Sequence, residues 1–227
     1  MPVEPFPFIN ELVEGDVERV PILLVGPPGV GKSTYSRQFL LEGLKNGEKV
    51  IILATDEFPE QIMTNLERMD PEFNDFNNLF IVDCYSSHLG IASTSPYSIS
   101  PRNLQGILIT IQDLLNNGAS RLVLDSITTL TIVNGPGVGM QFLHILSGWM
   151  MHQKASGLFI LESGIHDKEF MNFLRFMFKG ILEMSILEEG GELKRRMRMF
   201  SLVGVKPKQK WGTLEIVKFR IVLSTEN

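Results

Sequence analysis

Cysteine is nearly absent from this sequence: its 227 residues hold one, Cys84. No disulfide framework can form within one chain, and a reducing compartment is the simpler setting. Long apolar runs are missing too. Stretches such as residues 21–25 and 158–161 fall far short of the roughly 20 residues that span a bilayer. The opening Met1-Pro2-Val3-Glu4-Pro5 has no basic n-region and no apolar h-region, so no secretory leader is expected. Positive charge is not in surplus. The formal net charge of −5 argues against a surface made to coat nucleic acid, though it leaves room for a local basic patch. These absences point to a soluble, cytoplasmic protein with no membrane partner.

What is present is ordinary globular material, 44% hydrophobic and 21% charged, in a length that suits one α/β domain. Residues 1–19, with three prolines and several acids, read as a lead-in segment packed on a domain of residues 20–227. Residues 20–25, 49–55, 79–83, 121–125 and 157–162 read as five apolar strands. Between them, residues 32–46, 59–69, 101–117 and 140–155 read as helices, the first stopped by Gly47 and the third opened by Pro101. Serine-rich residues 84–100 read as a loop, and the glycine-rich stretch 134–139 as a flexible one. Strand and helix alternate, as in a parallel sheet with crossover helices. From Phe178 the pattern changes to three strands, residues 180–187, 193–203 and 214–223, joined by turns that include Glu189-Gly190-Gly191. They predict an antiparallel extension of a mostly parallel sheet.

Gly26-Pro27-Pro28-Gly29-Val30-Gly31-Lys32-Ser33 fits the phosphate-binding pattern G-x-x-x-x-G-K-[ST] without a mismatch. It follows a predicted strand and precedes a predicted helix, the context such a motif requires. Glycines let successive backbone N–H groups turn onto phosphate oxygens, aided by the positive end of the helix. The motif predicts a site for Mg·ATP. Lys32 reaches the β- and γ-phosphates, Ser33 ligates Mg²⁺ and Thr34 contacts the α-phosphate.

Asp125, ending the strand Leu122-Val123-Leu124-Asp125, is placed to take a Mg²⁺-bound water; the competing reading is an N-cap for the next segment. Ser126 follows it instead of a second acid, so the base must come from elsewhere. Asp56-Glu57 closes the second strand, and a carboxylate there can align the attacking water. We read Glu57 as the base and Asp56 as its partner, against the alternative of a polar helix-start pair before Phe58-Pro59. Glu162 and Ser163 end the fifth strand, where either a γ-phosphate sensor or an ordinary strand end fits. His144 and His152 lack a third ligand at metal spacing and read as packing residues, as does Cys84. Two basic clusters, Lys194-Arg195-Arg196-Met197-Arg198 and Lys206-Pro207-Lys208-Gln209-Lys210-Trp211, read either as a solvated hairpin, as cations for a neighbouring subunit's nucleotide, or as a strand-binding patch with Trp211 as stacking platform.

Together these pieces resemble the KaiC-like branch of the RecA superfamily over roughly residues 20–222. The most specific parts are Thr55-Asp56-Glu57-Phe58-Pro59-Glu60-Gln61-Ile62, Leu122-Val123-Leu124-Asp125-Ser126-Ile127-Thr128 and the late hairpin from Gly180 through Gly190-Gly191-Glu192-Leu193-Lys194-Arg195-Arg196. The resemblance implies ATP hydrolysis at the junction between subunits of a homo-oligomer, often a hexameric ring, with Asp56 and Glu57 in the catalytic acid positions. It also implies a Lys-x-Arg-Gly element reaching the neighbour's γ-phosphate. Here that place reads Ser201-Leu202-Val203-Gly204, with Arg196, Arg198 and Lys206 as the nearest substitutes, and no Gly-Gly-Gly precedes the first strand. The expectation is a RecA-like phosphate-loop ATPase, slow in turnover, with a regulatory or signalling role and room for a protein partner. Two alternatives stand beside it. One is a nucleotide-gated interaction module that does not hydrolyse. The other is a recombinase paralogue on single-stranded DNA, against which the uncharged loop at 134–140 counts.

Overall fold

In a computed structural model of the protein, residues 4–208 and 210–225 are described. The first three residues of the lead-in, Gln209 of the second basic run and the last two residues of the domain lie outside them. The chain opens with α1 (Ile9–Leu12) and β1 (Val13–Glu14), then runs through β2 (Pro21–Gly26), α2 (Lys32–Lys45), β3 (Lys49–Ala54), α3 (Pro59–Met69) and β4 (Leu79–Asp83). Next come α4 (Tyr85–Leu89), β5 (Tyr97–Ser98), α5 (Leu104–Asn116), β6 (Ala119–Asp125), α6 (Ile127–Asn134), α7 (Pro136–His152) and β7 (Ser156–Glu162). It closes with α8 (Lys168–Met177), β8 (Gly180–Glu189), β9 (Glu192–Leu202), β10 (Lys206–Pro207), β11 (Gly212–Val217) and β12 (Arg220–Ser224).

Ten strands form one sheet in the order β12-β11-β9-β8-β2-β7-β6-β3-β4-β5. Every pairing from β8 to β5 is parallel, and the pairings β8–β9, β9–β11 and β11–β12 are antiparallel. This is the mostly parallel sheet with an antiparallel C-terminal extension that the sequence predicts, except that residues 214–223 are not one strand: the chain reverses at Lys218 and Phe219, both at positive φ, and β11 pairs with β12. One face buries α2, α3 and the lead-in around Phe39, Leu40, Ile62 and Leu66. The other buries α5, α7 and α8 around Ile111, Leu143, Leu146 and Leu174. Strands covered on both faces read as continuous apolar runs, as β2 and β3 do.

The lead-in is woven into the same core. Phe6 stacks on Phe39 with ring centroids 5.3 Å apart, the Tyr35 hydroxyl donates to the Pro7 carbonyl at 2.8 Å, and Val13 pairs with Pro207 in a separate two-stranded sheet.

Several boundaries differ from the sequence reading. Residues 84–100 are not one loop: α4 and the edge strand β5 lie inside them, with buried Asp83 accepting from the Ser86 N–H at 3.0 Å and so opening α4. The stretch 134–139 is not a flexible loop. Gly135 takes a positive φ of 86° and Pro136 occupies the first turn of α7, where its missing N–H costs nothing. The third helix starts at Leu104, because Asn103 rather than Pro101 caps it, its side chain accepting from the Gly106 N–H at 3.0 Å. Helices α6 and α8 were not anticipated. They are capped by Ser126 and Asp167, which accept from Thr129 N–H at 3.3 Å and Phe170 N–H at 2.8 Å.

Candidate active site

Parallel strands carry their crevice at the carboxyl ends, and β2, β7, β6 and β3, adjacent in that order, supply every element of this one. Register does the placing: Gly26 pairs with Glu162, and Ala54 pairs with Asp125. Residues 26–33 leave β2 and turn into α2, with Gly29 and Gly31 at φ of 74° and 111°, backbone that side-chain-bearing residues avoid. A Cβ on Gly26 would lie 2.9 Å from the Met184 carbonyl oxygen, so this glycine also permits the close approach of β8.

Lys32, at 5% exposure, directs its ammonium to the Gly26 carbonyl at 3.0 Å, the Pro27 carbonyl at 2.9 Å and Glu162 Oε2 at 2.9 Å. Glu162 is held in turn, its N–H donating to Thr128 Oγ1 at 3.1 Å, while the Ser163 N–H donates to the Gly26 carbonyl at 3.0 Å. His166 reaches the same Thr128 hydroxyl at 3.3 Å and stacks on Phe170; burial pushes its imidazole below the ordinary value.

Asp125 has its carboxyl pushed up to about 6 by burial, opposed by a hydrogen bond from Ser33 and reinforced by the nearby Asp56 and Glu57 charges. Three acids thus share one field. Asp125 is not the cap of α6, a duty that Ser126 performs. Asp56 accepts from the hydroxyls of Thr55 at 3.1 Å and Ser126 at 2.9 Å, and from Thr129. Glu57 is paired with Arg37 and accepts from Asn65 Nδ2 at 2.8 Å. Neither acid opens α3; Gln61 does, its Oε1 accepting from the Phe58 N–H at 3.2 Å. Arg37 and Asn65 escaped the sequence reading. The one available signal was Arg37 four residues after Ser33, on the same helical face.

The donor set suits Mg²⁺. Ser33 and Asp125 offer hard oxygens, and among the described residues no cluster of three or more His, Cys, Asp or Glu could hold a metal alone. An ion that takes few protein oxygens and keeps several waters beside substrate phosphates is the magnesium pattern, and Asp125 would meet it through one of those waters.

The substitute cations are engaged elsewhere. Arg196 and Arg198 lie 4.3 and 4.4 Å from the Trp211 ring, and Arg198 is bonded to Glu183 at 2.7 Å. Lys206 pairs with Glu14 at 3.0 Å, and Val203 is 69% exposed. Arg195 instead approaches the phosphate loop, 3.4 Å from the Gly29 carbonyl. His144 and His152 are exposed on α7, and Cys84 is buried with its thiol pushed up to about 12 by burial. No described helix is long and apolar enough to cross a membrane.

A family model described as "ATPase: KaiC" matches residues 7–226. The chain belongs to the KaiC ATPase family. Among curated relatives, a UPF0273 protein of Thermotoga maritima is 28% identical over 96% of this chain and 93% of its own. One from Pyrococcus horikoshii is 26% identical over 96% and 91%. The crystal structure of a KaiC-like protein from Pyrococcus horikoshii superposes with a TM-score of 0.76 at 22% identity, covering 98% of this chain and 97% of that one. That likeness carries the fold, and the KaiC-like, RecA-type architecture read from the sequence stands.

Proposed function

We propose that this KaiC-family chain binds Mg·ATP at residues 26–34 and hydrolyses it slowly, working as a homo-oligomer in a regulatory or signalling role. The reading rests on one observation above others: the strand register brings the phosphate loop after β2, Asp125 at the end of β6 and Asp56-Glu57 just beyond β3 together at the carboxyl ends of neighbouring parallel strands. Metal ligands and candidate base therefore share one crevice beside the loop. Gly26, Pro27, Pro28, Gly29, Val30 and Gly31 would present backbone N–H groups to the phosphates, with Lys32 as point charge and Thr34 at the α-phosphate. Ser33 and Asp125 would hold Mg²⁺, which neutralises charge on the β- and γ-oxygens. Glu57, with Asp56 beside it, would orient a water and take its proton.

Slow turnover follows from Ser201 and Val203, neutral side chains where the family resemblance calls for cations; a trans-acting cation is worth about 10³ to 10⁵ in rate. The same observation favours the second reading, a nucleotide-gated interaction module that binds without hydrolysing. Calorimetry with Mg·ATP, paired with phosphate release across protein concentrations, separates them. Lys32→Ala should abolish binding, and Glu57→Gln should keep binding and stop turnover. Unchanged turnover in Glu57→Gln removes that residue from the mechanism. A rate per chain that rises with protein concentration supports the shared site, and light scattering with and without ATP reads the assembly directly.

A further inference from the structure

A glutamate carboxylate hangs on three rotatable bonds, and a base works only within hydrogen-bond reach of its proton. Glu57 is held at both oxygens. Arg37 pairs with Oε2 from α2, the helix that begins at the phosphate loop, and Asn65 donates to Oε1 at 2.8 Å from α3. The Arg37 and Glu57 side chains are 15% and 23% exposed, more sheltered than a surface pair that salt would screen away. Arg37 sits one turn beyond Ser33 on the same helical face. The loop cation Lys32 faces Glu162, and the cations toward the far ends of α2 and α3 are engaged as well: Lys45 and Arg220 face Asp70, and Arg68 lies over the Phe219 ring.

We infer that Arg37 is a positioning residue for Glu57, and that with Asn65 it locks the carboxylate at a fixed place relative to the phosphate loop. A carboxylate has about four lone-pair sites. Arg37 and Asn65 take one on each oxygen, leaving the others for a water aimed at the end of a triphosphate held by Lys32 and Ser33. The inference rests on the hydrolytic reading above, and it adds a mechanical link. Because Arg37 and Ser33 share one helix turn, any shift of the loop on nucleotide binding moves the anchor of the base with it.

The test compares wild type with Glu57→Gln, Arg37→Gln, Arg37→Lys and Asn65→Ala, measuring ATP affinity by calorimetry, kcat and KM by phosphate release, and thermal unfolding. Arg37→Gln should lower kcat about tenfold, since small misplacements of a reacting group are costly, with KM and Kd for ATP within about twofold. Arg37→Lys should recover part of the loss by keeping the charge. Arg37→Gln should add little on top of Glu57→Gln, because the two act through one carboxylate. A loss confined to KM or Kd, or an unchanged kcat in Arg37→Gln, overturns the inference. If Glu57→Gln stops turnover while Arg37→Gln does not, only the role of Arg37 falls. If Glu57→Gln turns over normally, or wild type does not turn over, the hydrolytic reading falls and takes this one with it. Should Arg37→Gln unfold, Arg37→Lys and Asn65→Ala carry the same kcat-against-KM comparison.

Discussion

The Lys32 ammonium is 2.9 Å from Glu162 Oε2, and its two remaining hydrogen bonds go to the Gly26 and Pro27 carbonyls at 3.0 and 2.9 Å. An ammonium has three donors, and all three are spent within the chain. A triphosphate can reach Lys32 only by displacing this arrangement, and Glu162 brings negative charge to where a phosphate would lie. Glu162→Gln should therefore tighten binding of a non-hydrolysable ATP analogue by about fivefold, near 1 kcal/mol. Calorimetry at fixed Mg²⁺ measures it. Weaker binding in Glu162→Gln would show that the carboxylate helps hold the nucleotide rather than standing in for it.

Gly26 closes β2 at the point where β8 comes nearest. A Cβ there meets the Met184 carbonyl oxygen and Val30 Cγ1, both at 2.9 Å. Backbone cannot swing aside as a side-chain end can, so Gly26→Ala should cost about 1–3 kcal/mol of stability by overpacking. The displaced loop should also bind ATP more weakly. A denaturant titration reads the first effect and calorimetry the second; a variant as stable as wild type would mean that β2 and β8 slide apart freely.

Trp211 was one candidate for stacking on single-stranded nucleic acid. Its ring instead receives Arg196 and Arg198 at 4.3 and 4.4 Å, and the chain carries a formal net charge of −5. We expect no measurable binding of single-stranded DNA at about 0.15 M salt, and no change on Trp211→Ala. Tight, steeply salt-dependent binding that Trp211→Ala abolishes would restore the recombinase-like alternative.

How far the sequence carried depended on whether each feature was local. The phosphate loop was legible because glycines at fixed offsets, a strand before and a helix after all lie within about fifteen residues. The sheet was legible because β2, β3, β6 and β7 are apolar on both faces. Helix α6 was not, since Ile127, Thr128, Thr129, Thr131, Ile132 and Val133 are β-branched and favour strand; the Ser126 cap and the packing of Ile127 and Leu130 override that preference. Helix α7 began earlier than read because Gly137 and Gly139 mimic loop composition, whereas a Cβ at Gly139 would lie 2.5 Å from the Thr131 methyl carbon of the neighbouring helix. At the site, Asp125 and the acid pair could be read from strand ends. Their partners could not: Lys32–Glu162 spans 130 residues and Arg37–Glu57 spans 20, so both pairs exist only once the crossovers have been wound.

The other end of the sheet holds a second ionic device, and we expect it to set the acid limit of the fold. Arg121 is fully buried, bonded through Nε to Glu48 Oε2 at 2.9 Å and through its terminal nitrogens to the Phe39 and Glu4 carbonyls, both at 3.0 Å. Arg19 and the Ser120 hydroxyl complete the shell of Glu48 at 2.9 and 2.8 Å. Burial alone would raise the Glu48 carboxyl, but the hydrogen bonds from Arg19 and Arg121 outweigh it and hold the group down at about 2. A carboxyl depressed in the folded state binds its proton more readily when unfolded, so stability is present above the ordinary glutamate value and drains as pH falls toward the folded one. The window for Glu48 runs from about pH 5 down to about pH 2. Glu48→Gln should flatten the stability-against-pH curve across that window. At neutral pH it should cost about 3 kcal/mol, because it leaves the Arg121 guanidinium buried without its counter-charge. Urea titrations at pH 7 and at about pH 3 test both halves. If wild type and Glu48→Gln lose stability in parallel as the solution is acidified, the acid limit belongs to other carboxylates, and Glu48 serves Arg121 only as a hydrogen-bond acceptor that glutamine can replace.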